Sequence, residues 1–151
     1  MEQIVQLNSN AKLSEHFSLG EFIKSNSHPE VYNIPSHEAI ENLKRVCGWL
    51  EVLRKRYGAP IIINSGYRSP QLNKRIGGVP TSNHLTGCAV DIRVNGMEQL
   101  IRYAAILLDY ADETHQDFDE LLIEKNRFGA IWLHFAVRPK GNRRKVCFIN
   151  A

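Results

Sequence analysis

The chain has 151 residues, of which 43% are hydrophobic and 23% charged, with a formal net charge of +3 and a pI near 8.8. That length and balance fit one globular domain with its own core and exclude a bulk-disordered or low-complexity chain. The mild positive charge favours approach to an anionic polymer, cell wall or nucleic acid, without choosing between them. Three cysteines, Cys47, Cys88 and Cys147, form no C-x-x-C pair, so neither a disulfide framework nor a thiolate zinc site is expected.

Met1 to Lys12 is polar and lacks a basic stretch followed by an apolar run, so it does not read as a signal peptide. No apolar stretch is long enough to span a bilayer. Leu13 to Ser25 carries a short helical signal, with Ser18 as a cap and Glu21 as its capping-box partner. His28 to Pro35 reads as a loop. Ser36 opens a long helix to about Tyr57, with Ile40, Leu43, Val46, Cys47, Leu50 and Leu53 as its buried stripe. Arg54, Lys55 and Arg56 suit its C-terminal end, and Gly58 with Pro60 stops it.

Ile61 to Asn64 reads as a buried strand and Gln71 to Ile76 as a short helix. Ala89 to Val94 is a strand ending at the Asn95-Gly96 turn. Met97 to Tyr110 is a helix with Leu100, Ile101, Ala104, Leu107 and Leu108 as its apolar face, followed by an acidic connection, Asp109 to Asp119. Glu120 to Lys125 and Ile131 to Val137 are spaced as an antiparallel hairpin. The tail, Arg138 to Asn150, is basic at first, with Lys140 to Lys145 read as solvated, and Val146 to Ile149 is a further strand. The fold class is α+β: helices packed on one side of a small, mostly antiparallel sheet. One domain covers 1–151, with 1–12 and 138–151 peripheral.

Strand alternation locates the chemistry. Val90 and Ile92 share one face of their strand, and Asp91 points the other way. Leu133 and Phe135 share one face of theirs, opposite His134. Leu121 and Ile123 are likewise separated from Leu122 and Glu124. Three strands thus each carry one ionisable group away from their apolar face: Asp91, Glu124 and His134. His84 precedes Asp91 in a loop that Gly87 lets bend back. Two imidazoles and a carboxylate are the ligand set of a hydrolytic zinc site, which leaves a fourth position for water. A carboxylate outside the ligand set must take that water's proton, and Glu124 is the candidate.

Ser82 to Asp91 reads S-N-H-L-T-G-C-A-V-D. This resembles the S-x-H-x-x-G-x-A-x-D motif of peptidase family M15, the zinc D-Ala-D-Ala carboxypeptidases and related murein endopeptidases. Phe17 to Ser25 (FSLGEFIKS), Ser65 to Pro70 (SGYRSP), Asn73 to Val79 (NKRIGGV) and Trp132 to Phe135 (WLHF) extend the likeness in the same order. It is nearest to the single-domain branch found in phage and prophage-like proteins.

The resemblance implies a hedgehog/D-Ala-D-Ala peptidase-like fold and one zinc ion per chain, bound by His84, Asp91 and His134. It implies that Arg68 contacts a carboxylate or carbonyl of the peptide, and that Ser82 lies beside the metal to contact substrate or support a ligand. The implied function is hydrolysis of a peptide bond in peptidoglycan stem peptides. The expected partner is that peptide, not nucleic acid or membrane, and the chain is expected to be monomeric. Without a signal peptide it would be made in the cytoplasm and reach the wall by release or another route. The sequence departs from the family pattern at Ile131, where many members place an acid three residues before the last histidine. That departure motivates an alternative, a non-catalytic wall-binding or interaction module with a structural zinc.

Overall fold

The computed structural model describes residues 8–25 and 27–151. The segment 1–7, which includes most of the stretch read as lacking a signal peptide, lies outside the described residues.

Helix α1 spans only Gly20–Ile23. The Glu21 carboxylate accepts from Ser18 N–H at 2.7 Å, one half of the expected capping box. Helix α2 spans His37–Tyr57. Ser36 caps it by accepting from Ala39 N–H at 3.1 Å, and Gly58 ends it in the left-handed conformation, φ 83°. Leu43, Val46, Cys47, Leu50 and Leu53 are all fully buried along one stripe. Truncating one of these leucines to alanine costs about 2–5 kcal/mol, because lost transfer energy is joined by a cavity.

Strand β1 is shorter than the apolar run implied, Ile63–Ser65. Helix α3 covers Pro70–Arg75, capped by Ser69. A 3-10 turn at Asn83–Thr86 leads into β2, Ala89–Arg93. Helix α4 runs Met97–Thr114, a turn beyond the expected end. The acidic residues there do not break it because they face outward to arginines: Glu113 pairs with Arg56 at 2.6 Å, and Asp112 pairs with Arg144. The buried face of α4 also differs from the expected one. Leu100, Tyr103, Leu107 and Ala111 are buried, whereas Ile101 is 56% exposed.

Strands β3 (Glu120–Lys125), β4 (Ile131–Ala136) and β5 (Lys145–Asn150) complete a five-stranded sheet of order β1-β2-β4-β3-β5. The α+β class holds. The sheet is mixed: β1–β2, β2–β4 and β4–β3 are antiparallel, but β5 lies parallel to β3. Residues 138–151, expected at the periphery, therefore supply an edge strand of the sheet.

Val90, Ile92, Leu121, Leu133 and Phe135 project from the sheet into one core with α2 and α4. Trp49 of α2 sits at its centre, 4.9 Å from Tyr110 and 5.4 Å from Phe135 between ring centroids. With one face of the sheet buried in this way, alternation delivers every second side chain to the other face. No described helix is long and apolar enough to cross a membrane.

Candidate metal centre

The register of the sheet sets Asp91 of β2 opposite His134 of β4, and His134 opposite Leu122 of β3. Asp91 and His134 therefore share one row on the face away from the core. His84 arrives from the 3-10 turn. Ser82 caps that turn by accepting from His84 N–H at 3.1 Å, and Gly87 closes it with φ 75°. A Cβ on Gly87 would lie 2.4 Å from Ala39 O, so the turn docks on α2 only with glycine there.

The three side chains meet. His84 Nε2 is 3.2 Å, and His134 Nδ1 3.1 Å, from the same oxygen, Asp91 Oδ1. All three are buried, and their ligand atoms lie within 4.8 Å of one another. The two short edges are close to the roughly 3.3 Å edge of a tetrahedron with bonds of about 2.0–2.1 Å.

The proton arrangement also fits a cation. His84 Nδ1 lies 2.6 Å from Gly66 O, a carbonyl that can only accept, so Nδ1 carries the hydrogen. Burial lowers the His84 pKa, outweighing the opposing pull of Asp91, and the ring stays neutral. A neutral ring protonated on Nδ1 presents only a lone pair to Asp91 Oδ1. Two acceptors then face each other at 3.2 Å, an apposition that a bound cation relieves.

Asp91 is held ionised. Burial raises its pKa, but the charged His134 and its hydrogen bond lower it by more and hold the carboxyl well below the usual range. Its second oxygen accepts from Arg68 Nη2 at 3.1 Å. Burial lowers the His134 pKa, yet hydrogen bonds to Asp91 and Glu120 push it up to about 10.

These groups form the floor of a cleft of about 890 Å³ that Glu124, Arg68 and Ser82 also line. Glu124 accepts a hydrogen bond from Trp132 Nε1, its cross-strand neighbour. Burial, and next the charge of Asp91, push its carboxyl pKa up. Ile131 sits on the core side of β4, packed against the hydrophobic cluster, so an acid at that position would point away from the cleft.

Several residues of the site were not singled out from the sequence. Glu120 Oε1 lies 3.0 Å from His134 Nε2 and accepts from Asn83 Nδ2 at 2.6 Å. It shares the parity of Leu122 and Glu124, which was the available signal. Asp119, fully buried, accepts from Arg143 Nε at 3.0 Å and Nη2 at 2.8 Å, and lies 3.2 Å from Arg138 Nε. The basic segment Lys140 to Lys145, read as solvated, is thus anchored beneath the cleft through Arg143.

Residues 15–120 match the family model described as Peptidase M15. The chain belongs to peptidase family M15. The match takes in His84 and Asp91 and stops before Glu124 and His134, which reach the site through the pairing of β4 with β2 and of β3 with β4. No curated protein matches the chain. Membership of a peptidase family implies a peptide substrate, and the buried His–Asp–His group is one that could hold a metal ion.

Proposed function

We propose that this M15 chain is a zinc-dependent peptidase that hydrolyses a peptide bond in bacterial peptidoglycan stem peptides. The observation that carries this reading is the buried convergence of His84, Asp91 and His134 on the floor of an open cleft. In this reading those three residues hold the ion. Zinc, when bound, polarises the scissile carbonyl and brings the pKa of a water toward about 7.

The remaining chemistry belongs to the chain. Glu124 takes the water's proton and returns it to the leaving amine. Burial favours its protonated form, which suits a group that must hold a proton between two steps. The Trp132 hydrogen bond fixes which way the carboxylate points. Arg68 holds Asp91 through Oδ2 and keeps Oδ1 directed at the histidines. Ser82 holds the backbone of the turn that carries His84.

The non-catalytic alternative was motivated by Ile131. A carboxylate on the neighbouring strand, lining the same cleft, supports the catalytic reading instead. The test is amine release from purified peptidoglycan, zinc-loaded against chelator-stripped protein, with mass spectrometry of the products. Metal-dependent release is the expected result. The fragment masses then tell a cut at a C-terminal D-Ala from one inside the stem or cross-bridge. Zinc bound at one per chain with no release from any wall type would favour the non-catalytic module.

A further inference from the structure

The cleft has two walls of unlike chemistry. On one side, each nitrogen of Arg68 already faces an acceptor: Ser65 Oγ at 3.2 Å, Asn73 Oδ1 at 3.4 Å and Asp91 Oδ2 at 3.1 Å. On the β3–β5 side the cations are differently engaged. Asp119 holds Arg143 through Nε and Nη2, whereas Arg138 Nε donates to Asn83 Oδ1 at 2.9 Å with Asp119 Oδ2 3.2 Å away. Among the described residues, Arg143 Nη1, the two terminal nitrogens of Arg138 and Lys145 Nζ donate no hydrogen bond to the protein. All three side chains line the cleft.

The fully buried Asp119 carboxylate fixes the fork of half-exposed Arg143 in place, and Asp119 and Asn83 together anchor Arg138 at Nε, which leaves outward N–H groups unfilled on both. At the end of this wall where β3 begins, three cations gather around two carboxylates, Asp119 and Glu120, while Glu124 stands four residues further along β3. This end also adjoins the candidate metal centre. Arg143 Nη2 is 3.5 Å from Glu120 Oε2, and the other oxygen of Glu120 is 3.0 Å from His134 Nε2.

From this geometry we infer that Arg138, Arg143 and Lys145 form an anion subsite, which holds a carboxylate of the substrate peptide close to the bond being cut. The inference rests on the peptidase reading above. It assigns the substrate-carboxylate contact to the β3–β5 wall, because each nitrogen of Arg68 already donates one hydrogen bond within the protein, whereas Arg143 Nη1 and the terminal nitrogens of Arg138 donate none.

The test uses the full chain, zinc-loaded and carrying Glu124→Gln so that substrate is not consumed. Two stem-type peptides are compared by calorimetry, identical except that one glutamyl carboxylate is free in the first and amidated in the second. The free carboxylate should bind about tenfold more tightly, the difference expected of a charge-assisted hydrogen bond. Adding Arg143→Gln should reduce that preference to twofold or less. Removing Arg143 also leaves Asp119 short of a partner, so Lys145→Glu, an exposed position, is the second variant and should erase the preference with the fold intact. Equal binding of the two peptides, with both still cleaved by the unsubstituted protein, overturns the subsite and leaves the peptidase reading standing. If neither peptide binds or is cleaved, the peptidase reading falls and the subsite with it.

Discussion

Glu120 Oε1 lies 3.0 Å from His134 Nε2, on the opposite side of the ring from Asp91. The contact sets the orientation of the imidazole and directs Nδ1 at His84 and Asp91. Carboxylates placed behind a metal-binding histidine typically contribute 10–100-fold to metal affinity. Glu120→Ala should therefore weaken zinc binding by about that factor, while Glu120→Gln, which keeps an acceptor for Nε2–H, should lose much less. Competition against a chromophoric chelator measures both. Unchanged affinity in Glu120→Ala would remove Glu120 from the site.

Proton release on metal binding follows from the same contact. His134 is charged in the metal-free protein, its pKa pushed up to about 10 by Asp91 and Glu120 despite burial. A raised histidine pKa stabilises the metal-free fold fully below the unfolded value of 6.5, and that contribution fades as pH rises through about 10. A cation at Nδ1 must displace the proton there. Zinc affinity should therefore rise about tenfold per pH unit between roughly pH 7 and 9, with about one proton released per ion. Calorimetry at pH 7.5 in buffers of different ionisation enthalpy counts that proton. A heat independent of buffer would show that His134 is neutral before the metal arrives.

Ligand and base should separate cleanly on substitution. His84→Ala and His134→Ala should lose both zinc and peptidase activity, and with them the rise in melting temperature that zinc gives the unsubstituted chain. Glu124→Gln should keep zinc and its thermal shift but lose about 10²–10⁴-fold in turnover. Near-normal turnover in Glu124→Gln would assign the base elsewhere, with Glu120 the next carboxylate in the cleft.

Gly87 couples the fold to the site. Its φ is 75°, and an added Cβ would come within 2.4 Å of Ala39 O on α2. Gly87→Ala should cost at least about 2 kcal/mol, combining left-handed strain with a backbone clash. It should also weaken zinc binding, because the turn that must move carries His84. Denaturant unfolding with and without zinc reads both effects. Gly58, also left-handed but with open space around it, is the control: Gly58→Ala should lose stability without a change in zinc affinity.

Much of the site was legible because it depends on local geometry. A strand puts alternate residues on opposite faces, so the apolar parity of Val90 and Ile92, and of Leu133 and Phe135, was enough to turn Asp91 and His134 to a common side. The long helix α2 was equally legible, since its cap, its stripe and its terminating glycine all lie within one segment of chain. Alternation also put Glu120 and Glu124 on one face. Telling their contacts apart needed the register, which sets Leu122 opposite His134 and Glu124 opposite Trp132.

Tertiary structure alone decided the rest. The buried face of α4 was misjudged at Ile101 because helical spacing gives a stripe but not how neighbouring helices and strands cover its margins. The basic tail reads as solvated from sequence because Lys140 to Lys145 lacks the interleaved aromatics of a nucleic-acid site, and nothing local shows a buried partner. Its partner, Asp119, lies 24 residues from Arg143. The two meet only when β5 lies parallel to β3, a long-range pairing whose energy comes from contacts between distant segments and which no local pattern in either segment specifies.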